Sequence, residues 1–298
     1  MKILFIYNPS SGNESGEKII GKIESNLKNY FDEVIIKRTE RENDPSRFIS
    51  EVKDVDAIGV YGGDGTVNEV LFGMYKNNSR AKLLILPGGT GNLLAKRLGI
   101  PKKIDEAIKS FNFKETKKID IGKANDKVFS LFASIGAVPE AIHEVSSDEK
   151  SKFGGLAYVK KSAEKLVASE QYDLNVKTDD GNYCGVVDHL VVGLISKVGR
   201  FEFTKRNNSM NTGRANLIIL TSDDIKYRVS VLKETLKGDV EDVKGIKDFS
   251  VSEVEISSNK DEKICIDIDG EKGPDLPVNI KILKEAVEVY IPEEVKND

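Results

Sequence analysis

Cysteine is scarce in this chain of 298 residues: Cys184 and Cys265 stand far apart, with no CxxC and no Cys/His ligand spacing. Neither a disulfide framework nor a zinc site is signalled, and a reducing cytoplasm fits. Bulk charge of one sign is also missing, since 45 Lys and Arg against 49 Asp and Glu leave a formal charge of -4. By that measure the chain is not a nucleic-acid binder. No stretch approaches the ~18 consecutive apolar residues that cross a bilayer. The run Ile3-Leu4-Phe5-Ile6 is too short for a signal-peptide core and meets Asn8-Pro9 almost at once. Any membrane role is therefore expected to be peripheral. Internal repeats and low-complexity tracts are absent. His143 and His189 have no nucleophile or acid in a triad-like context and read as structural, and both cysteines fall in predicted strands as small buried hydrophobes.

What is present is length for two domains, at the usual ~150 residues each, and two contrasting patterns. The first half alternates short apolar runs with helical periodicity, as in a parallel sheet covered by helices. Strands are expected at about Lys2–Tyr7, Glu33–Lys37, Asp56–Tyr61 and Lys82–Leu86. Ile19, Ile20, Ile23 and Leu27 fall at helical spacing within Glu17–Tyr30, and Asp44-Pro45 reads as an N-cap followed by a first-turn proline. Gly99-Ile100-Pro101 breaks the pattern, a short helix about Ile104–Phe111 follows, and the character changes near Lys117.

Beyond that point short strands with polar turns dominate: Ile119–Ala124, turn Asn125-Asp126, Lys127–Ser134; Tyr172–Thr178, turn Asp179-Asp180-Gly181, Tyr183–Ile195; then Ala215–Thr221, Val251–Ser257, Lys263–Asp267, Val278–Leu283 and Ala286–Ile291. Helices are expected at about Leu156–Ala168 and, entered through a Ser222 cap, Asp223–Leu236. The fold class predicted is an α/β domain with a parallel sheet over residues 1–117 and a mostly antiparallel β-sandwich over 118–298, the final strands returning toward the junction. An exposed strand edge in the sandwich could pair two copies as a homodimer.

Three loops follow predicted parallel strands, where an open α/β sheet binds its ligand. They are Asn8-Pro9-Ser10-Ser11-Gly12 and onward to Gly16; Gly62-Gly63-Asp64-Gly65-Thr66-Val67-Asn68-Glu69; and Pro87-Gly88-Gly89-Thr90-Gly91-Asn92. Glycines let the backbone turn its N–H groups onto a phosphate, and a helix expected after each loop adds the favourable end of its dipole. Ser10, Ser11, Thr66 and Thr90 could donate to phosphate oxygens, and Asp64 could hold a magnesium ion, through water, against a phosphate chain. Neither GxGxxG with a ribose-binding acid nor a Walker loop is present.

Taken in order, Tyr7-Asn8-Pro9 with Gly12, Gly62–Thr66 with Asn68-Glu69, and Pro87-x-Gly89-Thr90-x-Asn92 resemble the catalytic domain of the diacylglycerol kinase/sphingosine kinase superfamily. Bacterial single-chain members are nearest in length and layout. The resemblance reaches Asp269-Gly270-Glu271 and Leu276-Pro277-Val278, and so spans nearly the whole chain. It implies a nucleotide-binding domain and a lipid-substrate domain, ATP and Mg2+ as cofactors, and a lipid hydroxyl as acceptor met during transient visits of a cytoplasmic protein to the membrane surface. Nucleotide contacts carry over onto Asn8, Pro9, Ser10, Ser11, Gly12, Thr39, Gly63, Asp64, Gly65, Thr66, Val67, Asn68, Glu69 and Thr90. The catalytic base carries over onto Glu271. Asp269, two residues earlier on the same strand face, would support it, beside Asp64 as the metal-organising acid.

Two departures stand against the family pattern. Asn92-Leu93 replaces a common Asn-Asp. More consequentially, Ser209-Met210-Asn211-Thr212-Gly213 matches a metal-binding segment of bacterial relatives, but Thr212 stands where they carry an acid, which weakens a hard-cation site at Ser209. The mixed basic and apolar stretch 150–161 could dock on anionic head groups or be a solvated helix face. The rival readings are a kinase for a soluble substrate such as NAD, which shares the second loop, and a non-catalytic nucleotide- or lipid-binding relative.

Overall fold

The computed structural model describes residues 1–11, 16–136, 170–198, 201–202, 210–221 and 246–293. The chain divides into two compact units, Met1–Ile119 with Glu285–Asp298, and Asp120–Lys284. Gly12, Ser209, His143, the 150–161 stretch, the Ser222 cap and the helices expected at 156–168 and 223–236 lie outside the described residues.

In the first unit β1 (Lys2–Tyr7), α1 (Gly16–Leu27), β2 (Glu33–Arg38), α2 (Asp44–Glu51), β3 (Ala57–Gly62), α3 (Asp64–Lys76), β4 (Lys82–Pro87), α4 (Leu93–Arg97) and α5 (Ile104–Ser110) follow one another, and β5 (Thr116–Ala124) leads out of it. The four strands pair in parallel in the order β2-β1-β3-β4. Ile3 to Ile6 are wholly buried, so β1 is a continuous apolar run, as a strand covered on both faces must be. Helices contribute apolar stripes to that core, Ile19, Ile20, Ile23 and Leu27 from α1 and Val67, Val70, Leu71 and Met74 from α3. Asp44 is not the cap of α2 but its first residue. The cap position is Asn43, at φ 66°, and the Asp44 carboxylate accepts the N–H groups of Glu40 and Arg41 in the loop before it.

The second unit holds β6 (Lys127–Phe129), β7 (Phe132–Ile135), β8 (Tyr172–Thr178), β9 (Asn182–Val187), β10 (His189–Gly193), β11 (Lys197–Val198), β12 (Phe201–Glu202), β13 (Ala215–Leu220), β14 (Ile246–Val251), β15 (Glu253–Ser258), β16 (Cys265–Ile268) and β17 (Glu271–Asp275), with β18 (Val278–Tyr290) running on into the first unit. One antiparallel layer runs β14-β13-β10-β7-β16-β17; the other pairs β9, β8, β15 and the start of β18. Alternate residues of both enter one core: Leu174, Val176, Val254, Ile256 and Ile280 from the second layer, Ala133, Ile135, Leu190, Val192, Leu217 and Ile219 from the first. The β11–β12 pair is a separate two-stranded ladder. The architecture is thus the α/β domain plus antiparallel sandwich read from the sequence.

Several expected strands divide. Lys127–Ser134 breaks at Ser130-Leu131, Tyr183–Ile195 breaks at the fully buried Asp188, and Val251–Ser257 is two strands hinged at Ser252. The last two expected strands are instead one, because Glu285 at φ 50° is absorbed within a continuous β18. Its far end returns to the first unit, where Val289 pairs in parallel with Leu83 of β4. The cysteines are not buried hydrophobes: Cys184 is exposed and Cys265 half-buried. His189 is buried, at 3% exposure.

Candidate active site

The order β2-β1-β3-β4 makes the junction of β1 and β3 a topological switch point, where chain segments leave the sheet in opposite directions and open a crevice. Asn8 leaves β1 and Gly62 ends β3 on its two sides, and Asn8 N–H donates to Tyr61 O across it at 3.1 Å. Thr39, which follows β2, is 8% exposed; its N–H and hydroxyl both donate to Tyr7 O, at 2.9 and 3.3 Å.

The second loop is shorter than the sequence suggests. Only Gly62-Gly63 precede the helix, and Asp64 to Glu69 are its first two turns. Gly63 is the N-cap, without a side-chain cap bond, and Val67 N–H donates to Gly63 O at 3.0 Å. The N–H groups of Asp64, Gly65 and Thr66 therefore lack intrahelical acceptors and point out of the helix start, where an anion would be held by three donors and the positive end of the dipole. Val67 faces the core at 4% exposure. Asn68 and Glu69 are half-buried on the second turn, with Asn68 Oδ1 buried and, among the described residues, without a partner.

In the other two loops several backbone donors are already bonded within the chain. In the first, Ser10 N–H donates to Asn8 Oδ1, Ser11 N–H to Asn8 O, and Pro9 has no N–H. In the third, Gly88 N–H donates to Gly62 O at 2.8 Å, and the Asn92 side chain both accepts Gly89 N–H and donates to Gly89 O. Asn92, at φ 49°, closes that loop into a tight turn that presents Thr90. Glycine is required at 89, because a Cβ there would lie 2.6 Å from Gly63 Cα, backbone against backbone. The Asp64 carboxylate joins the loops: Oδ1 accepts Leu93 N–H at 2.7 Å at the start of α4, while Oδ2 faces Gly91, where a Cβ would come within 2.6 Å.

In the second unit Asp269-Gly270 forms a two-residue hairpin between β16 and β17, with Ile268 opposite Glu271 and left-handed φ values of 51° and 90°. Asp269 and Glu271 are therefore not neighbours on one strand face. Asp269, 3% exposed, accepts Ser130 N–H, Leu131 N–H and Phe132 N–H at 2.7 to 3.0 Å and the Ser130 hydroxyl at 3.1 Å. Those donors sit at the β6–β7 break, so this carboxylate holds the corner that divides the expected strand. Burial raises its pKa to about 6, although the four donors pull the other way. Glu271 is exposed at the head of β17. At the 209–213 segment, Thr212 Oγ1 is engaged with the Arg214 backbone, and Gly213 N–H donates to Asp120 Oδ2 at 2.6 Å. The described residues hold no cluster of three or more His, Cys, Asp or Glu able to bind a metal ion, and no helix among them is long and apolar enough to cross a membrane.

The profile of the diacylglycerol kinase catalytic domain matches residues 2–124. A Streptococcus pneumoniae protein named provisionally as a lipid kinase is 40% identical over 97% of each chain. The chain belongs to the diacylglycerol kinase family. A Bacillus subtilis diacylglycerol kinase is 30% identical over 97% of this chain and 96% of its own. The crystal structure of a Bacillus anthracis diacylglycerol kinase, 26% identical, superposes with a TM-score of 0.79 over 99% of this chain and 98% of that one. Membership makes the chain a kinase that draws on a nucleotide.

Within that family setting, the structure brings Asn8, Ser11, Gly62 to Thr66 and the third loop together at one end of the sheet. It sets Val67 apart from them, in the core. Sequence reasoning counted Gly91 and Asn92 in the third loop but gave the Asn92 side chain and the Leu93 N–H no part of their own. The signal available was the αL-prone asparagine closing a glycine-rich turn.

Proposed function

We propose that the chain is an ATP- and magnesium-dependent lipid kinase that transfers the γ-phosphoryl group to a hydroxyl of a diacylglycerol-like lipid at a membrane surface. The observation that supports the nucleotide part is the start of α3, where the N–H groups of Asp64, Gly65 and Thr66 lack intrahelical acceptors and, among the described residues, have no side-chain cap from Gly63, while the Asp64 carboxylate is turned to Leu93 N–H. On this reading Asp64, Gly65 and Thr66 hold phosphate oxygens and Thr90 approaches from the third loop. Ser10, Ser11 and Thr39 flank the nucleotide. Magnesium fits Asp64: a carboxylate offers the hard anionic oxygen that ion prefers, and with Oδ1 fixed by Leu93 N–H, Oδ2 faces the space that Gly91 keeps clear. Bound there, the ion would neutralise phosphate charge. At 210–213 the donors fit a cation poorly, since Thr212 is neutral and its hydroxyl already bonds the Arg214 backbone.

Glu271 is the base of this reading. It accepts the proton of the lipid hydroxyl as that oxygen bonds to phosphorus and the bond to the ADP oxygen breaks. Exposure leaves it open to an incoming alcohol, while Asp269 fixes the hairpin that carries it. The test is labelled ATP with a panel of lipids in mixed micelles, and NAD alongside. Labelled phosphatidate supports the diacylglycerol reading, label in another lipid redirects the acceptor, and NADP formation at ordinary rates overturns it. ATP binding without transfer to any lipid, unchanged in Glu271→Ala, would mark a non-catalytic relative.

A further inference from the structure

Asn8 makes two side-chain bonds that fix its orientation. Oδ1 accepts Ser10 N–H at 2.9 Å, and Nδ2 donates to Thr66 Oγ1 at 3.2 Å. A backbone N–H can meet only the oxygen end of an amide, so the end facing Thr66 is the NH2. A hydroxyl that accepts from an NH2 must send its own hydrogen elsewhere. Thr66 is 8% exposed, and among the described residues no group accepts that hydrogen. It lies on the first turn of α3, beside the N–H groups of Asp64, Gly65 and Thr66 that lack intrahelical acceptors.

We infer that Asn8 is a positioning residue that aims the Thr66 hydroxyl as a fourth donor at the start of α3, and that it acts on the nucleotide through Thr66. The inference rests on the nucleotide reading proposed above. Its chemistry is donation into a phosphate oxygen: Asn8 Nδ2 occupies one of the hydroxyl's lone pairs and polarises the O–H, while Asn8 Oδ1, turned to Ser10 N–H, does not compete for its hydrogen. The first loop then serves the site through the second loop's helix, which agrees with the Ser10 and Ser11 N–H groups being spent on Asn8.

A double-mutant cycle tests this. Wild type, Asn8→Ala, Thr66→Val and the double variant are compared by calorimetric ADP binding, which needs no lipid acceptor, and by KM for ATP against kcat in micelles. Each single change is expected to weaken ADP binding about fivefold to tenfold. The double variant should be no weaker than Thr66→Val, and Thr66→Ser should recover most of the loss. Losses that multiply in the double variant would show that Asn8 touches the nucleotide itself and would overturn the inference, as would full affinity in Asn8→Ala. Should Asn8→Ala fail to fold, Asn8→Asp takes its place in the cycle: it keeps the acceptor for Ser10 N–H but draws the Thr66 hydrogen to itself. A wild type that binds no ADP refutes the nucleotide reading and this inference together; normal wild-type binding with a multiplicative cycle refutes the inference alone.

Discussion

Two places in this protein gather three successive backbone N–H groups toward one point. At the β6–β7 corner Ser130, Leu131 and Phe132 donate to Asp269, a carboxylate from 139 positions further along in the first case. At the start of α3 the N–H groups of Asp64, Gly65 and Thr66 have no such partner among the described residues. The chemistry is the same and the occupancy differs. Where the chain supplies the anion the result is architecture, and where it does not, the donors are those the nucleotide proposal uses. Donor geometry alone does not mark a binding site.

Changes that alter either place can break that contrast. The largest effect is expected beside the filled one: Glu271→Gln should lower phosphoryl transfer by about 10²–10⁴-fold while ADP binding is unchanged. Transfer within tenfold of wild type would remove Glu271 as the base. Gly65→Asp would supply the open place with an anion of its own. ADP affinity should fall by at least about tenfold while thermal stability holds or rises, since an acid in the first turn contributes about 0.3–1 kcal/mol. Weaker binding accompanied by a lower melting temperature would instead point to simple disruption.

Asp269→Asn takes an acceptor oxygen from the filled place and should cost about 1–3 kcal/mol in urea unfolding. A pH series sharpens this further. With the Asp269 pKa raised from 3.8 to about 6, the folded chain keeps a proton that the unfolded chain has released between those values. Its contribution to stability therefore falls as pH rises from about 4 to about 6 and then levels, so the gap between wild type and Asp269→Asn should change only in that window. The smallest effect concerns Asp44, held down at about 2 by the Glu40 and Arg41 N–H groups and by Arg47. Its contribution is present above about 4 and lost as pH falls toward 2, a dependence that Asp44→Asn should abolish in acid titration of the fold.

Three of the parallel strands, β1, β3 and β4, were legible nearly to the residue because each is a dense apolar run stopped by asparagine, glycine or proline, a purely local signal, whereas β2 has only Val34, Ile35 and Ile36 and no such stop. The sandwich was legible in kind but not in its breaks. Nothing near Ser130 announces that Asp269 will split the strand there, and Lys284-Glu285 has the polarity of a turn yet is absorbed as an irregularity in β18. In the site, glycine spacing located the three loops. It could not tell that the Ser10 and Gly89 N–H groups would be taken up by side chains of their own loops, because that depends on how Asn8 and Asn92 fold back.

The return of β18 has a consequence for how the protein is made. The first unit owes one of its strands to residues near 289, and Tyr290, 2% exposed, sets its ring edge-on to Phe113 with Lys82 Nζ above it. A nascent chain that has emerged only as far as Ile119 carries α1 to α5 but leaves Leu83 of β4 without its partner Val289, on a sheet edge that is a template for unwanted pairing. Order of synthesis and order of completion thus run opposite ways. The half made first stays open until the last strand arrives.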